Sequence, residues 1–382
     1  MLASATRTQI LKGLATLAVA TTSLAPTNPV SHNLALAQNV YETSVLTAAS
    51  VNASASEHDF PYALGFRYLS ETQRRACRQM LSCIEDRTYS TTISNISFDD
   101  LDHAFYALRS DHPELYWLGS YHYQATGDGY TFWADTNGLT RQEMRDTQKK
   151  LDAVADGFLN TLPEGASAAD KVRAAYEWVA CNTTYDAAAV STQNLTASLI
   201  DHRSVCAGYS AAFTFLCHKA HVAATTVSGE VTSKGYKHSW NLVEVDGKPT
   251  YVDVTFGDVD AIGGDASAAA NLNYSYLGLT TDEIGRDRTI KYANSLPTCT
   301  DRSLNAYANA TFDAYRPADV THLIAAALAR GKRQVGFELG SVPAFEQAQA
   351  ALNSGTLNVF ALTGGKPRAY YTKELRLVRI TW

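Results

Sequence analysis

The sequence predicts an α+β protein. Three observations point there. Residues 204–220, SVCAGYSAAFTFLCHKA, place Val205, Tyr209, Ala212, Phe213, Leu216 and Ala220 at helical spacing. Three strand-like runs follow at 225–231, 238–245 and 250–255, and the last two flank Asp246-Gly247, a strong hairpin signal. Beyond residue 300 comes a smaller helix-strand-helix-strand pattern, at 320–330, 334–338, 343–352 and 369–382. In the centre, one helix followed by a run of hairpin-linked strands puts a helix against an antiparallel sheet.

From the N-terminus, Arg7 and Lys12 precede an apolar stretch, GLATLAVATTSLA, and Ala35-Leu36-Ala37 stands before Gln38. This reads as a secretory signal peptide over 1–37. Its apolar core is shorter than the roughly 20 residues a membrane span needs. No later segment is long and apolar enough, so no integral membrane segment is expected after signal cleavage. The protein is expected to be secreted or cell-surface associated. Residues 38–57, rich in Ala, Ser, Thr and Asn, read as a linker. An N-terminal α+β region is expected over 58–165. It holds a helix at 69–85 capped by Ser70, a strand at 88–98 and a helix at 99–110. Two aromatic-rich strands at 115–124 and 130–135 join through Gly127-Asp128-Gly129, and a long helix covers 140–162. A helix at 168–181 opens a central core over 166–299. A small α+β domain closes the chain over 300–382.

The 382 residues are 46% hydrophobic with a formal charge of -6. Mild acidity without a basic stripe argues against a nucleic-acid partner. Export permits disulfides. The spacing of Cys77, Cys83, Cys181, Cys206, Cys217 and Cys299 leaves their pairing open. There is no CxxC pair and no Cys/His zinc spacing, so neither a metal nor a cofactor is expected.

Two cysteines lie in the 204–220 helix. Cys206 stands two residues after a candidate N-cap, Ser204, where unpaired N–H groups and the helix dipole favour thiolate, the nucleophilic form. Cys217, in the last turns, has no such help and is expected to pack as a small hydrophobe. A working thiol needs a base. A two-residue turn at Asp246-Gly247 would pair Val245 with Lys248 and set His238 opposite Thr255. Asp253 then falls on the diagonal, roughly 7–8 Å away and within reach of the imidazole. A carboxylate there would fix the tautomer and stabilise the imidazolium. Trp240 and Tyr251 share that face, as walls of a substrate groove or as core.

Other polar residues read plainly. His218 and His221 are taken as surface histidines, and Asp258, Asp260 and Asp265 as a solvated loop without calcium-loop spacing. The remaining histidines of the mature chain show no carboxylate or cysteine partner.

The run VCAGYS, then HSWN with its histidine 32 residues after the cysteine, then YVDVTFGD, resembles the transglutaminase-like superfamily. KVRAAYEWVACNTTYD at 171–186 is similar to the segment before the cysteine in bacterial members. DHPELYW at 111–117 is similar to part of their N-terminal region. The likeness is strongest over 168–258 and fades after 300. It implies a papain-like core, with a helix bearing the cysteine packed on an antiparallel sheet bearing histidine and aspartate. It also implies Cys206 as nucleophile, His238 as general base and acid, and Asp253 as orienter. The oxyanion would be held by the Cys206 N–H and one more donor, with Trp178 and Tyr185 as candidates. Many bacterial members carry Gln where this chain has Ala207.

The expected function is exported, thiol-dependent acyl transfer on amide bonds of peptides or proteins, as a cysteine peptidase or amidase, with a substrate that could be cell-wall associated. One alternative is a cross-linking transglutaminase. Another is a non-catalytic surface module gripping peptide or glycan through the aromatics of 116–123 and 130–133.

Overall fold

The structure, a computed structural model, describes residues 60–188, 193–258 and 272–382. The expected signal peptide and linker lie outside the described residues, as do Asp260 and Asp265. The α+β class is what the structure shows.

The N-terminal region contains α1 (Leu64–Arg67), α2 (Glu71–Glu85), β1 (Ser90–Ile93), α3 (Phe98–Asp111), β2 (Tyr121–Thr126) and β3 (Gly129–Ala134). Ser70 caps α2 as expected: its side chain accepts from the Gln73 N–H, and Gln73 returns the bond. The strands form an antiparallel sheet in the order β1-β3-β2. Phe132 from this sheet packs with Met80, Leu101 and Leu108 from the two longer helices. The strand expected from 115 begins only at Tyr121. Before it the chain makes two tight turns, Leu115 N–H to His112 O and Leu118 N–H to Leu115 O.

Next come α4 (Arg141–Leu159), α5 (Ala168–Asn182), β4 (Thr184–Tyr185), α6 (Leu195–Leu199), β5 (Arg203–Ser204) and α7 (Cys206–Lys219). Helix α7 is apolar on nearly every side, and a helix of that composition belongs in an interior. Its Tyr209, Phe213 and Leu216 are fully buried among Phe158 of α4, Tyr176 and Val179 of α5, and Leu195 of α6.

The chain then builds β6 (Ala224–Val231), β7 (Tyr236–Val245), β8 (Lys248–Val252), α8 (Val254–Gly257), β9 (Leu277–Leu279), α9 (Thr281–Ile284) and β10 (Arg288–Ile290). The strands form an antiparallel sheet in the order β10-β6-β7-β8-β9. Val245 pairs with Lys248, and Asp246 and Gly247 take φ of 51° and 76°. The hairpin is the two-residue type, whose twist matches that of its strands. Both faces of the sheet are covered. Val243, Val245 and Val252 pack with α7. Trp240, Leu242 and Tyr251 pack with Leu64 and Leu279. Strands β9 and β10 lie where the sequence offered no strand.

The last part holds β11 (Thr311–Phe312), α10 (Pro317–Ala329), β12 (Gln334–Leu339), α11 (Val342–Asn353), α12 (Val359–Thr363), β13 (Arg368–Thr372) and β14 (Leu377–Thr381), with the sheet order β11-β12-β14-β13. The single strand expected over 369–382 is a hairpin of two. Leu375, Leu377 and Tyr307 share a core cluster with Trp240 and Tyr251, so this part packs directly against the central sheet. All six cysteines are unpaired. No helix among the described residues is long and apolar enough to cross a membrane.

Candidate active site

The sulfur of Cys206 owes its place to the two short strands that precede it. In the parallel pair of β4 and β5, Thr184 lies opposite Arg203 and Tyr185 opposite Ser204. Ser204 was expected to cap α7, and it does not. It belongs to β5, and its hydroxyl lies against Gly208, where an added Cβ would collide with Ser204 Oγ and Asn194 O. Val205 takes the N-cap position with no side-chain cap, and Cys206 is the first helical residue. The Cys206 N–H is therefore not consumed by a capping side chain, and the uncapped turn favours a negative charge beside it. Cys206 and Ala207 are half-buried while Gly208, Tyr209 and Ser210 just beyond them are buried.

His238 and Asp253 meet, by a route the strand register did not foresee. β8 stops at Val252, so His238 has no partner at Thr255. Asp253 instead caps α8, with Oδ1 accepting from the Phe256 N–H at 3.1 Å. That cap turns Oδ2 toward His238, whose Nε2 lies 2.8 Å away. Both residues are buried, at 4% and 0% exposure. Burial would lower the His238 pKa. The charges of Asp253 and Cys206, and hydrogen bonding to both, outweigh it and raise the pKa to about 9. Burial would raise the Asp253 pKa, but His238, Arg288 and the Phe256 N–H together hold it below the usual carboxylate value. With Nε2 engaged by Asp253, Nδ1 is the ring nitrogen left for Cys206.

Arg288 was missed. It opens β10 with a fully buried side chain, and its Nη2 lies 2.7 Å from the same Asp253 Oδ2. Its Nη1 reaches Asp287 Oδ1 at 2.6 Å. Tyr236 was missed too. It starts β7 half-buried, edge-on to the His238 ring at 6.3 Å between centroids.

The other sequence candidates separate clearly. Tyr185 is half-buried beside the thiol: burial and then the charge of Cys206 raise its hydroxyl pKa. Trp178 packs edge-on against Phe158 of α4, at 5.7 Å. Trp240 and Tyr251, offered as groove walls, are 0% and 1% exposed and belong to the core. Trp240 stacks on His238 at 5.9 Å and so supports the ring from within.

Asp258, expected in a solvated loop, is buried and accepts from the Tyr209 hydroxyl at 2.6 Å. His218, expected at the surface, is half-buried and bonds through Nε2 to Ala224 O at 2.8 Å, while His221 is exposed. His112, expected without a partner, bonds Glu114 at 2.8 Å. Among the described residues no group of three or more His, Cys, Asp or Glu is placed to hold a metal ion.

At the remaining thiols burial disfavours the thiolate. Burial pushes up Cys77, Cys181 and Cys217, raises Cys83 to about 12 and raises Cys299 to about 11.

Residues 153–254 match the family model of the transglutaminase-like superfamily. The central segment is transglutaminase-like. The matched span ends one residue after Asp253 and contains Cys206 and His238, so the likeness carried by VCAGYS, HSWN and YVDV holds for this part of the chain. Three solved structures are similar over about a third of the chain. One is a TGase, 17% identical with a TM-score of 0.26, covering 36% of this chain and 44% of that one. One is described as a "Putative Cysteine Protease from Cytophaga hutchinsonii", 12% identical with a TM-score of 0.25, covering 36% and 61%. The third is described as a "putative protease from Parabacteroides distasonis", 8% identical with a TM-score of 0.23, covering 35% of each. The chain thus spans about a third to three-fifths of these proteins. No curated protein matches it.

Proposed function

We propose that the protein is an exported cysteine peptidase or amidase that acts on amide bonds of peptide or protein substrates. The observation that carries this reading is the placement of a half-buried Cys206 at the uncapped start of α7, beside a buried His238 already paired with Asp253. In the proposed reaction Cys206, its proton already on His238, attacks the amide carbonyl as a thiolate. The tetrahedral oxyanion is held by the Cys206 N–H, with the Tyr185 hydroxyl as second donor. His238 then protonates the leaving amine as the C–N bond breaks, leaving a thioester on Cys206. Water, deprotonated by His238, cleaves the thioester and releases the acid. If an amine takes the place of water, the same steps make a transglutaminase.

Export rests on the 1–37 signal pattern. A half-buried Cys206 at an uncapped helix start argues for chemistry over a purely binding role, since a packing cysteine needs neither feature.

The test is iodoacetamide alkylation of the mature chain from pH 5 to 9, read site by site by mass spectrometry, followed by a peptide-library digest. Cys206 should react first at neutral pH. His238→Ala should slow it at least tenfold, and amines should be released only by protein that retains Cys206. A Cys206 that is inert, or equally reactive without His238, would remove the basis of the proposal.

A further inference from the structure

We propose that Arg288 is the positioning residue of this site: its guanidinium keeps Asp253 ionised and aimed at His238 Nε2. The proposal rests on the reading of Cys206, His238 and Asp253 given above.

Asp253 has two carboxylate oxygens and three donors around them. Oδ1 takes the Phe256 N–H at 3.1 Å. Oδ2 takes both His238 Nε2 at 2.8 Å and Arg288 Nη2 at 2.7 Å. The carboxylate is therefore pinned from three directions. One of them is the backbone, one is the proposed catalytic base, and one is Arg288.

The guanidinium is itself fixed. Its Nη1 is tied to Asp287, so the fork spans two carboxylates. Three aromatic rings surround its carbon, Phe256 at 4.7 Å, Tyr276 at 5.0 Å and Trp240 at 5.6 Å. Two of these rings, Phe256 and Trp240, also flank His238, at 5.0 and 5.9 Å. The same packing thus holds imidazole and guanidinium on either side of Asp253 Oδ2.

A buried carboxylate tends to take up a proton, because a low dielectric penalises the charge. A neutral Asp253 could still accept a hydrogen bond, but it could no longer stabilise an imidazolium. The fixed cation opposes that outcome without leaning on His238, whose charge must change during turnover. Arginine suits the task because its planar fork reaches two carboxylates at once and it does not deprotonate.

Several other groups act on the pair. Asp287 sets a second negative charge against Arg288, and Glu374 acts on Asp287. Cys206 acts through His238. Tyr176, Tyr236 and Tyr276 feel the charge of Asp253, and burial raises their hydroxyls above the ordinary tyrosine range. These tyrosines stay neutral over the working range, so they do not replace the cation.

The test compares wild type, Arg288→Gln, Arg288→Lys and His238→Ala by the pH profile of Cys206 alkylation, with circular dichroism and thermal melting alongside. Without the cation, Asp253 takes up a proton at higher pH, and the imidazolium that supports the thiolate is lost. Arg288→Gln should slow alkylation at pH 6.5 at least tenfold and move the rise of the profile to higher pH. Arg288→Lys should shift it the same way by less, about threefold, because one ammonium keeps the charge but cannot span Asp253 and Asp287. If the glutamine variant does not fold, the lysine variant carries the test.

A profile that superimposes on wild type while the melting temperature falls would make Arg288 a structural ion pair and overturn the proposal. So would a shift to lower pH, the result expected if Arg288 acted mainly by repelling the imidazolium. The His238→Ala arm separates the two readings. If it alkylates like wild type, the triad reading itself fails. If it is slow and both Arg288 variants are normal, only the positioning role fails.

Discussion

His238 Nε2 lies 2.8 Å from Asp253 Oδ2, with the two side chains 3% and 0% exposed. Water cannot take over the bond if the carboxylate is changed. Asp253→Asn should present an amide to the imidazole, favour the wrong tautomer and remove the charge that supports the imidazolium. The loss in kcat on any substrate that a library reveals should be about 10³–10⁴-fold, with little change in KM. Turnover within tenfold of wild type would mean that Asp253 serves only to cap α8.

How much of this was legible in the sequence varies by element, for physical reasons. The hairpin could be read because Asp246-Gly247 satisfies two positive φ angles at once. Helix α2 could be read because Ser70 and Gln73 are local signals. The meeting of His238 with Asp253 was anticipated, but its geometry was not. Strand pairing was extrapolated past Val252, where the carboxylate turns back to cap a helix. Arg288 was invisible because a lone arginine in a three-residue strand carries no periodic signal, and its partner lies 35 residues earlier. Trp240 and Tyr251 were ambiguous because alternation names a face without saying what covers it. Here the cover includes Tyr307, Leu375 and Leu377 from the C-terminal part, far along the chain.

Stability should depend on pH through His238. Its pKa rises to about 9 in the folded protein, against about 6.5 in an unfolded chain. The folded state therefore binds its proton more tightly. The resulting stabilisation is complete below about pH 6.5 and is lost as pH rises through about 9. Urea midpoints measured from pH 6 to 10 should fall across that window for wild type. His238→Gln should show a flatter dependence. Parallel curves would show that the imidazolium is not stabilised in the folded state.

Gly208 sits in the first turn of α7, two residues after the thiol. A methyl group there would meet Ser204 Oγ, Ser204 Cβ and Asn194 O. Asn194 O is backbone and cannot simply rotate away, so the helix start must shift. Gly208→Ala should destabilise the protein by about 1–3 kcal/mol, as overpacking does. It should also displace Cys206 from His238 and slow alkylation. The discriminating measurement pairs the melting temperature with the Cys206 labelling rate. Unchanged values in both would mean that the turn has room to relax.

Glu338 of β12 joins the C-terminal part to the centre. Its 6% exposed carboxylate receives Arg302 at 2.6 Å, Arg286 at 3.1 Å and Arg376 at 3.5 Å. Arg302 also reaches Glu283 at 2.9 Å, so one cation keeps a partner if Glu338 is neutralised. Arg286 and Arg376 have no second carboxylate among these bridges. The three arginines retain 23–29% exposure, so water can recover part of the loss. Glu338→Gln should therefore destabilise by about 2 kcal/mol, below the roughly 3–5 kcal/mol of a broken, fully buried pair. Hydrogen exchange should localise the effect to β12, β14 and the 299–311 connection, which would open before the central sheet does. Uniform loosening of α7 along with these strands would instead mean that the two parts unfold as one cooperative unit.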